Sequence, residues 1–473
     1  MIELNDVHSR LNRTRVARVV RPANEGEVCA FVRGAREPFS VMGGRHAMGG
    51  QAFLAGGVVL DTTGLTGGAR LDRERGLLTI GAGAMWPEVI GATAGSGWGI
   101  RQKQTGVDDV TLGGTLACNG HGRVLTAGPI VDDVESFRLV TPEGEVVECS
   151  RERERELFGA VIGGYGLLGV VTEVTLRLVR RRKVRRLVDV LDLDDAMNAV
   201  HRRVAEGCEY GDFQYAIDPE GDGFLKRGVM ACYKAVGDDV EPDGEGADLP
   251  REKWLELLEL AHRDKSRAFG LFAQHYLSTH GRVYFADTMQ LATYIPEYAE
   301  FLAQRRGVVG GGGGGGGSGG GADESLMITE LDVPPGQLTE FMARARALLR
   351  SLGVDDLYGT IRAIQRDTTT MLPWASADYA CVIFNLRAVH TEVGLARTRA
   401  AACGLIDEAL ALGGNFFLTY HPWASGAQLE RAYPRLREFL RLKDRVDPRG
   451  RLRSDWERTV RAALGLEAGA ARG

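Results

Sequence analysis

The sequence predicts an α+β fold in two domains, and three observations predict it. The chain has 473 residues, whereas a single hydrophobic core stops growing at roughly 250–300 residues. Up to about residue 180, short apolar, β-branched runs alternate with Gly and Asp turns and with short helical stretches. Beyond Arg180 the elements lengthen, and strand-like and helical segments alternate as in an antiparallel sheet covered by helices on one face.

In the first part, "GGVVLDTT", "GLLTIGAG", "SFRLVTPEGEVVEC" and "GVVTEVTLRLV" read as strands bounded by turn residues. Helices are predicted at "PEVIGATAGSGWG", which opens with proline in its first turn, and at "ERELFGAVIGGYG", whose apolar residues recur at helical spacing. In the second part, "LDDAMNAVHRRVAEG" and "REKWLELLELAHRDKSRAFGL" read as helices, with "GDFQYAID" and "RGVMACYKAV" as strands between them. Further on, "ESLMITELDVP", "LYGTIRAIQ" and "YACVIFNLRAVH" are strands, while "PGQLTEFMARARALLRSL" and "LARTRAAACGLIDEALALGG" are helices, the second stopped at Gly413-Gly414. Gly310–Gly321 is almost pure glycine, which cannot nucleate a helix or strand and reads as a flexible loop without chemistry. The segment "YPRLREFLRLKDRVDPRGRLRSDW" is a basic amphipathic helix ending at Asp447-Pro448, a solvated face unless it packs back on the first domain.

Composition excludes several classes. Net charge is −5 with both signs dispersed, so nothing draws the chain to nucleic acid or to an anionic membrane surface. Seven scattered cysteines with no C-x-x-C pair argue against a disulfide framework and a structural zinc site, and no metal is expected. No segment approaches a membrane span and the first residues lack a signal-like apolar run, so a cytoplasmic location is expected.

The chemistry concentrates in "GGRHAMGGQAFLAGGVVLD", which follows a predicted strand. Successive glycines let backbone N–H groups curl around one anion, as a pyrophosphate requires. The spacing matches neither G-x-G-x-x-G nor G-x-x-x-x-G-K-[ST]. This stretch resembles the pyrophosphate loop of the FAD-linked oxidases of the vanillyl-alcohol oxidase type, which share the PCMH-type FAD-binding fold. The likeness continues through "TLGGTLACNGHGRVLTAGPIVDDVESFRLVTPEGEVV" and "LFGAVIGGYGLLGVVTEVTLRL" and closes at "YPRLREFLRLKDRVDPRGRLRSDW". The resemblance implies an FAD-binding domain over residues 1–180, a substrate domain over 181–424 and a segment over 425–473 that returns to the first domain.

It also implies cofactor contacts from Gly43, Gly44, Arg45, His46, Ala47, Gly49 and Gln51. Further contacts come from Gly113, Gly114, Thr115, Cys118, Asn119, Gly120, His121 and Gly122, and from Gly169, Val170 and Val171. His46 stands where many members carry the flavin on a histidine, so a covalent link is expected, with tight non-covalent FAD as the alternative. The cysteine that provides a second link in some members is replaced by Val107, so Cys118 is expected to contact rather than bond the flavin. Asp132-Asp133 reads as a turn rather than as a paired-carboxylate centre.

Departures from the family govern the substrate reading. Alditol oxidases carry an S-E-I-R strand, and this chain reads Gly359-Thr360-Ile361-Arg362. The lysine of their P-H-W-G-K motif corresponds to Ser425, and by the count that fits decaprenylphosphoryl-ribose oxidases the slot is Tyr420. Tyr420, His421 and Arg362 are therefore the catalytic candidates, with Thr360, Ile383, Asn385 and Ser425 lining the substrate pocket. The aspartate base of cytokinin dehydrogenases aligns near Gly106, with Asp108 and Asp109 displaced. The expected activity is oxidation of a CH–OH group on a polar, sugar-like or aminosugar-like molecule, with oxygen reoxidising the flavin. A dehydrogenase or reductase using another acceptor, and a flavoprotein without turnover, remain the alternatives; the oligomeric state is left open.

Overall fold

The computed structural model describes residues 1–244, 249–292 and 323–467. The glycine run Gly310–Gly321 lies outside the described residues. Among the described residues, no helix is long and apolar enough to cross a membrane.

A three-stranded parallel sheet places Val58–Asp61 between Arg18–Val20 and Phe39–Met42. The helix Glu25–Gly34 makes the crossover; Asn24 caps it by accepting from the Glu27 N–H, and Glu25 and Glu27 complement its positive end. A five-stranded antiparallel sheet follows, in the order Val146–Ser150, Val134–Val140, Val170–Arg177, Leu77–Gly81, Arg70–Asp72. The predicted helix after Trp86 runs Trp86–Thr93 with proline in its first turn, and Gly95 and Gly97 end it at positive φ.

The second half builds one eight-stranded sheet, with every pairing antiparallel. Its order is Val283–Phe285, Lys183–Asp192, Arg227–Val236, Cys208–Tyr215, Asp356–Ile364, Tyr379–Val389, Glu324–Val333, Asn415–Phe416. Helices Leu193–Ala205, Leu338–Leu352 and Glu392–Ala411 cover one face, where Phe341 packs edge-on against Phe384. Helical cover on one face describes the middle of the sheet but not its far end. There Phe272 and Tyr276 pack on Val229, Ala231 and Tyr233 from the opposite side. The helix predicted across residues 251–271 is broken at Asp264, whose φ of −153° and ψ of 72° divide it into Arg251–Arg263 and Lys265–Ser278.

The basic C-terminal helix, Leu436–Val446, is not merely a solvated face. Leu436, Phe439, Leu440 and Leu442 are buried, and Lys443 forms a buried 2.7 Å ion pair with Asp447. The chain then pairs Leu452 with Phe39, and the Arg451 guanidinium donates to the carbonyls of Val32 and Ala35. The end of the chain thereby closes the parallel sheet, because buried backbone acceptors and an arginine satisfy one another there.

Candidate functional site

The loop that leaves Phe39–Met42 turns back on itself through Arg45, held at φ 63°. Gly44 has no room for a side chain, since a Cβ there would lie 2.5 Å from the Asp109 carbonyl oxygen. Two hydrogen bonds and one close approach tie the loop to residues 418–420. Met48 N–H donates to Thr419 O, Gln51 Nε2 donates to Leu418 O, and a Cβ on Gly49 would lie 2.6 Å from Tyr420 O. A residue near position 46 and one near position 420 therefore share one site.

That site is a cavity of 370 Å³ between glycine-rich loops and the eight-stranded sheet. One side is glycine-rich: Gly43, Gly44, Arg45, His46, Ala47 and Gln51 border it, with Gly113, Gly114, Cys118, Gly120 and His121 beyond them and Gly169 and Val171 at the end. A side chain at Gly169 would come within 2.7 Å of Val140 O. Among the described residues, the N–H groups of Gly44, Arg45 and Ala47 donate to no protein acceptor. Free N–H groups in a glycine-lined trough suit an extended anionic ligand.

Thr111 caps the helix Leu112–Cys118 by accepting from Gly114 N–H, and Asn119 ends it in the left-handed conformation at φ 53°. This turn aims Gly120 and His121 into the cavity, whereas Asn119 itself serves the scaffold. Its amide donates to Asp367 and accepts from Val131 N–H, while its carbonyl accepts from Trp374 Nε1. Thr115, expected against the flavin, is buried behind the wall and accepts from Trp86 Nε1. Gly122, Gly49 and Val170 are likewise not among the bordering residues and shape the loops from behind.

His46 borders the cavity with both ring nitrogens engaged. Nδ1 lies 2.9 Å from His8 Nε2, and Nε2 lies 3.2 Å from both the Asp109 carbonyl and one carboxylate oxygen of that residue. Burial, reinforced by His46, lowers the His8 pKa to about 3, so its ring is neutral. The Asp109 carboxyl is held below its ordinary range, chiefly by the hydrogen bond from His46. Asp108 is spoken for by Lys103, 2.8 Å away. Burial pushes the Cys118 thiol up to about 12, which leaves it un-ionised.

The other side of the cavity is one face of the eight-stranded sheet. Register places Gln214 opposite Thr360, Thr360 opposite Ile383 and Ile383 opposite Glu330, a row across four strands. Alternation along the strands puts Asp212, Arg362, Asn385 and Ile328 on the same face. Asn385 is fixed by donating to Tyr358 O.

Glu330 is the residue sequence reasoning missed. It is 1% exposed, accepts from Tyr420 Oη at 3.0 Å and lies 3.0 Å from His121 Nε2. Burial works to raise its pKa, but the charge and hydrogen bond of His121, with Arg362 beyond, outweigh burial and leave it below the ordinary carboxyl value. Tyr420 responds oppositely: burial first, then the Glu330 charge, raises it well above an ordinary phenol. Tyr420 therefore enters the site un-ionised, as a hydrogen-bond donor to Glu330. In the sequence Glu330 is one acid in "ESLMITELDVP", with no motif to mark it; only its inward parity with Ile328 in a β-strand pattern is a signal.

Two candidates stand elsewhere. His421 lies outside the main cavity, its ring 3.8 Å from that of Trp423, and burial lowers its pKa to about 4. Ser425 does not line the pocket; it caps the helix Gly426–Ala432 in a reciprocal box with Gln428. Asp132 accepts from Gly128 N–H and Asp133 pairs with Arg101, which accounts for both as turn residues.

A parallel βαβ start, a glycine-lined trough with free N–H groups and a facing sheet that closes a second compartment define a nucleotide-cofactor site of the PCMH type. Comparison with known proteins agrees: residues 16–150 match the FAD binding domain family. Residues 16–150 thus carry an FAD-binding domain, and FAD is the cofactor. It is 33% identical to cytokinin dehydrogenase 1 of Oryza sativa subsp. japonica over 237 residues, 47% of this chain and 44% of that protein. Cytokinin dehydrogenase 2 of Arabidopsis thaliana is 33% identical over 139 residues, 28% of this chain and 26% of that protein. An uncharacterized oxidoreductase of the fasciation locus of Rhodococcoides fascians is 31% identical over 233 residues, 47% of this chain and 50% of that protein. The chain thus spans half or less of the length of these relatives.

Proposed function

We propose that the protein is an FAD-dependent oxidoreductase that removes a hydride from a CH–OH group of a polar, hydroxylated small molecule. Residues 1–180 with the returning segment 425–473 hold the cofactor and residues 181–424 hold the substrate. The observation that carries the reading is the row of polar side chains facing the glycine-lined trough. Gln214 Oε1, Thr360 Oγ1 and Arg362 Nε are all buried there without a partner. Such groups cost roughly 1–3 kcal/mol each when left unsatisfied, so the cavity suits a ligand dense in hydrogen-bonding groups.

Bound FAD supplies a two-electron acceptor at the trough. Gly44, Arg45 and Ala47 offer N–H groups to its pyrophosphate, and His46 is the residue through which we place a covalent link. His8 and Asp109 orient the imidazole from its two nitrogens, and the nitrogen that would carry the flavin would give up its hydrogen bond. As the substrate hydroxyl becomes a carbonyl, its proton passes to Tyr420 Oη while the phenol proton passes to Glu330, along the 3.0 Å hydrogen bond already present. The un-ionised Cys118 thiol takes no second bond to the ring.

The relatives named cytokinin dehydrogenases favour a second reading, oxidation of a CH–N group. Anaerobic mixing with polyols, aminosugars and amines, followed at the flavin absorption band, tests both. Bleaching by hydroxylated compounds supports the first reading and bleaching by amines alone the second. No bleaching by any of them contradicts turnover. Oxygen uptake with peroxide release then separates an oxidase from an enzyme using another acceptor.

A further inference from the structure

Arg362 is 9% exposed, borders the cavity and, among the described residues, forms no hydrogen bond and no ion pair. Its Nε is buried without an acceptor. Asp332, in the same row beyond Cys381, leaves both carboxyl oxygens unpartnered, and burial raises its pKa well above the ordinary value, while three other nearby pairs are matched. Arg123 faces Asp212 at 3.8 Å, His121 faces Glu330 at 3.0 Å, and Lys103 holds Asp108 at 2.8 Å. A guanidinium kept from water without a partner is costly to the fold, and its planar fork of donors matches a carboxylate. Two residues along the same strand, about 7 Å away, Thr360 leaves its hydroxyl unpartnered, and Gln214 and Asp212 each leave an acceptor oxygen unpartnered. The wall therefore asks for negative charge at one end and hydroxyl or amino donors at the other.

We propose that the substrate is a hydroxylated carboxylate, with its carboxylate on Arg362 and its hydroxyl groups toward Thr360, Gln214 and Asp212. The inference rests on the cavity being the substrate site of the oxidoreductase proposed above. A phosphate fits less well, because a doubly charged group would meet one cation with the Glu330 carboxylate close by. The other possible source of an acceptor is the carbonyl edge of the flavin, and the test separates the two.

The FAD-loaded protein is titrated at constant ionic strength with D-gluconate, tartrate and glycolate, and with the uncharged counterparts D-glucitol, threitol and ethylene glycol. Binding is read as a shift of the flavin absorption band. Carboxylates are expected to bind more tightly than their neutral counterparts. Arg362→Gln should weaken the carboxylates by about tenfold or more and leave the neutral compounds unchanged, with Arg362→Lys between. Three results overturn the proposal: carboxylates binding no tighter than the neutral compounds, no carboxylate binding at all, or R362Q binding within about twofold of wild type. R362Q altering the flavin spectrum of the free protein with unchanged gluconate binding assigns the guanidinium to the flavin edge instead. Should R362Q lose FAD or fold, the wild-type comparison and R362K decide. Arg362-dependent carboxylate binding without bleaching by any compound would leave the anion site standing and sink the oxidoreductase reading alone.

Discussion

The phenol of Tyr420 donates a 3.0 Å hydrogen bond to Glu330, tying the segment after Asn415–Phe416 to Glu324–Val333, the strand next to one edge of the eight-stranded sheet. The pair puts a proton donor and an anion side by side at the cavity wall.

Removing either member tests the relay. Glu330→Gln and Tyr420→Phe should each slow anaerobic flavin bleaching by about 10²-fold or more, the usual scale for positioned proton transfer. FAD content should remain at wild-type level. Because the Glu330 carboxyl lies below its ordinary range, the wild-type rate should stay flat as pH falls from 8 to about 5. A bleaching rate unchanged in both variants would remove the pair from the mechanism.

Asp356 gives stability a pH dependence whose sign is fixed. Its pKa is raised from 3.8 to about 7, chiefly by burial. Tyr215 Oη lies 2.9 Å from both Asp356 Oδ2 and Ile383 O, and its one proton cannot serve both, so a protonated Asp356 completes the network. The raised carboxyl contributes stability that is full below about pH 4 and lost as pH rises through about 7. Asp356→Asn keeps a donor toward Tyr215 and should flatten the thermal midpoint between pH 5 and 8, as measured by melting curves at several pH values.

Gly359 lies where a Cβ would collide with the Tyr215 hydroxyl and ring. Gly359→Ala should cost about 1–3 kcal/mol in denaturant unfolding, and a neutral result would show that the strand can shift away.

Ser425→Ala should cost about 1 kcal/mol through loss of the helix cap while leaving bleaching rates unchanged. A large loss of rate with intact stability would return Ser425 to the substrate pocket.

Local chemistry was legible where a motif is local. The glycine loop around His46, the Trp86 helix with its proline, and the strands of both halves follow from periodicity and turn residues. Arg362, Thr360, Ile383 and Asn385 share the expected face because strand parity alone determines it. What the sequence hid depends on contacts between distant segments. Glu330 acquires its character from His121, 209 residues away in the chain. His421 and Ser425 occupy the positions of a catalytic motif by count, but the chain turns at Pro422 and spends Ser425 on a helix end. The break at Asp264 escaped because apolar periodicity continues across it.

The most direct test is a visible spectrum of the purified protein and of His46→Ala, followed by acid precipitation and flavin fluorescence of the denatured chain. The wild type should be yellow, with fluorescence that stays with the polypeptide, and all flavin should wash out of the variant. Flavin that leaves the precipitated wild type would contradict the link through His46, and a protein that never contains flavin would contradict the account as a whole.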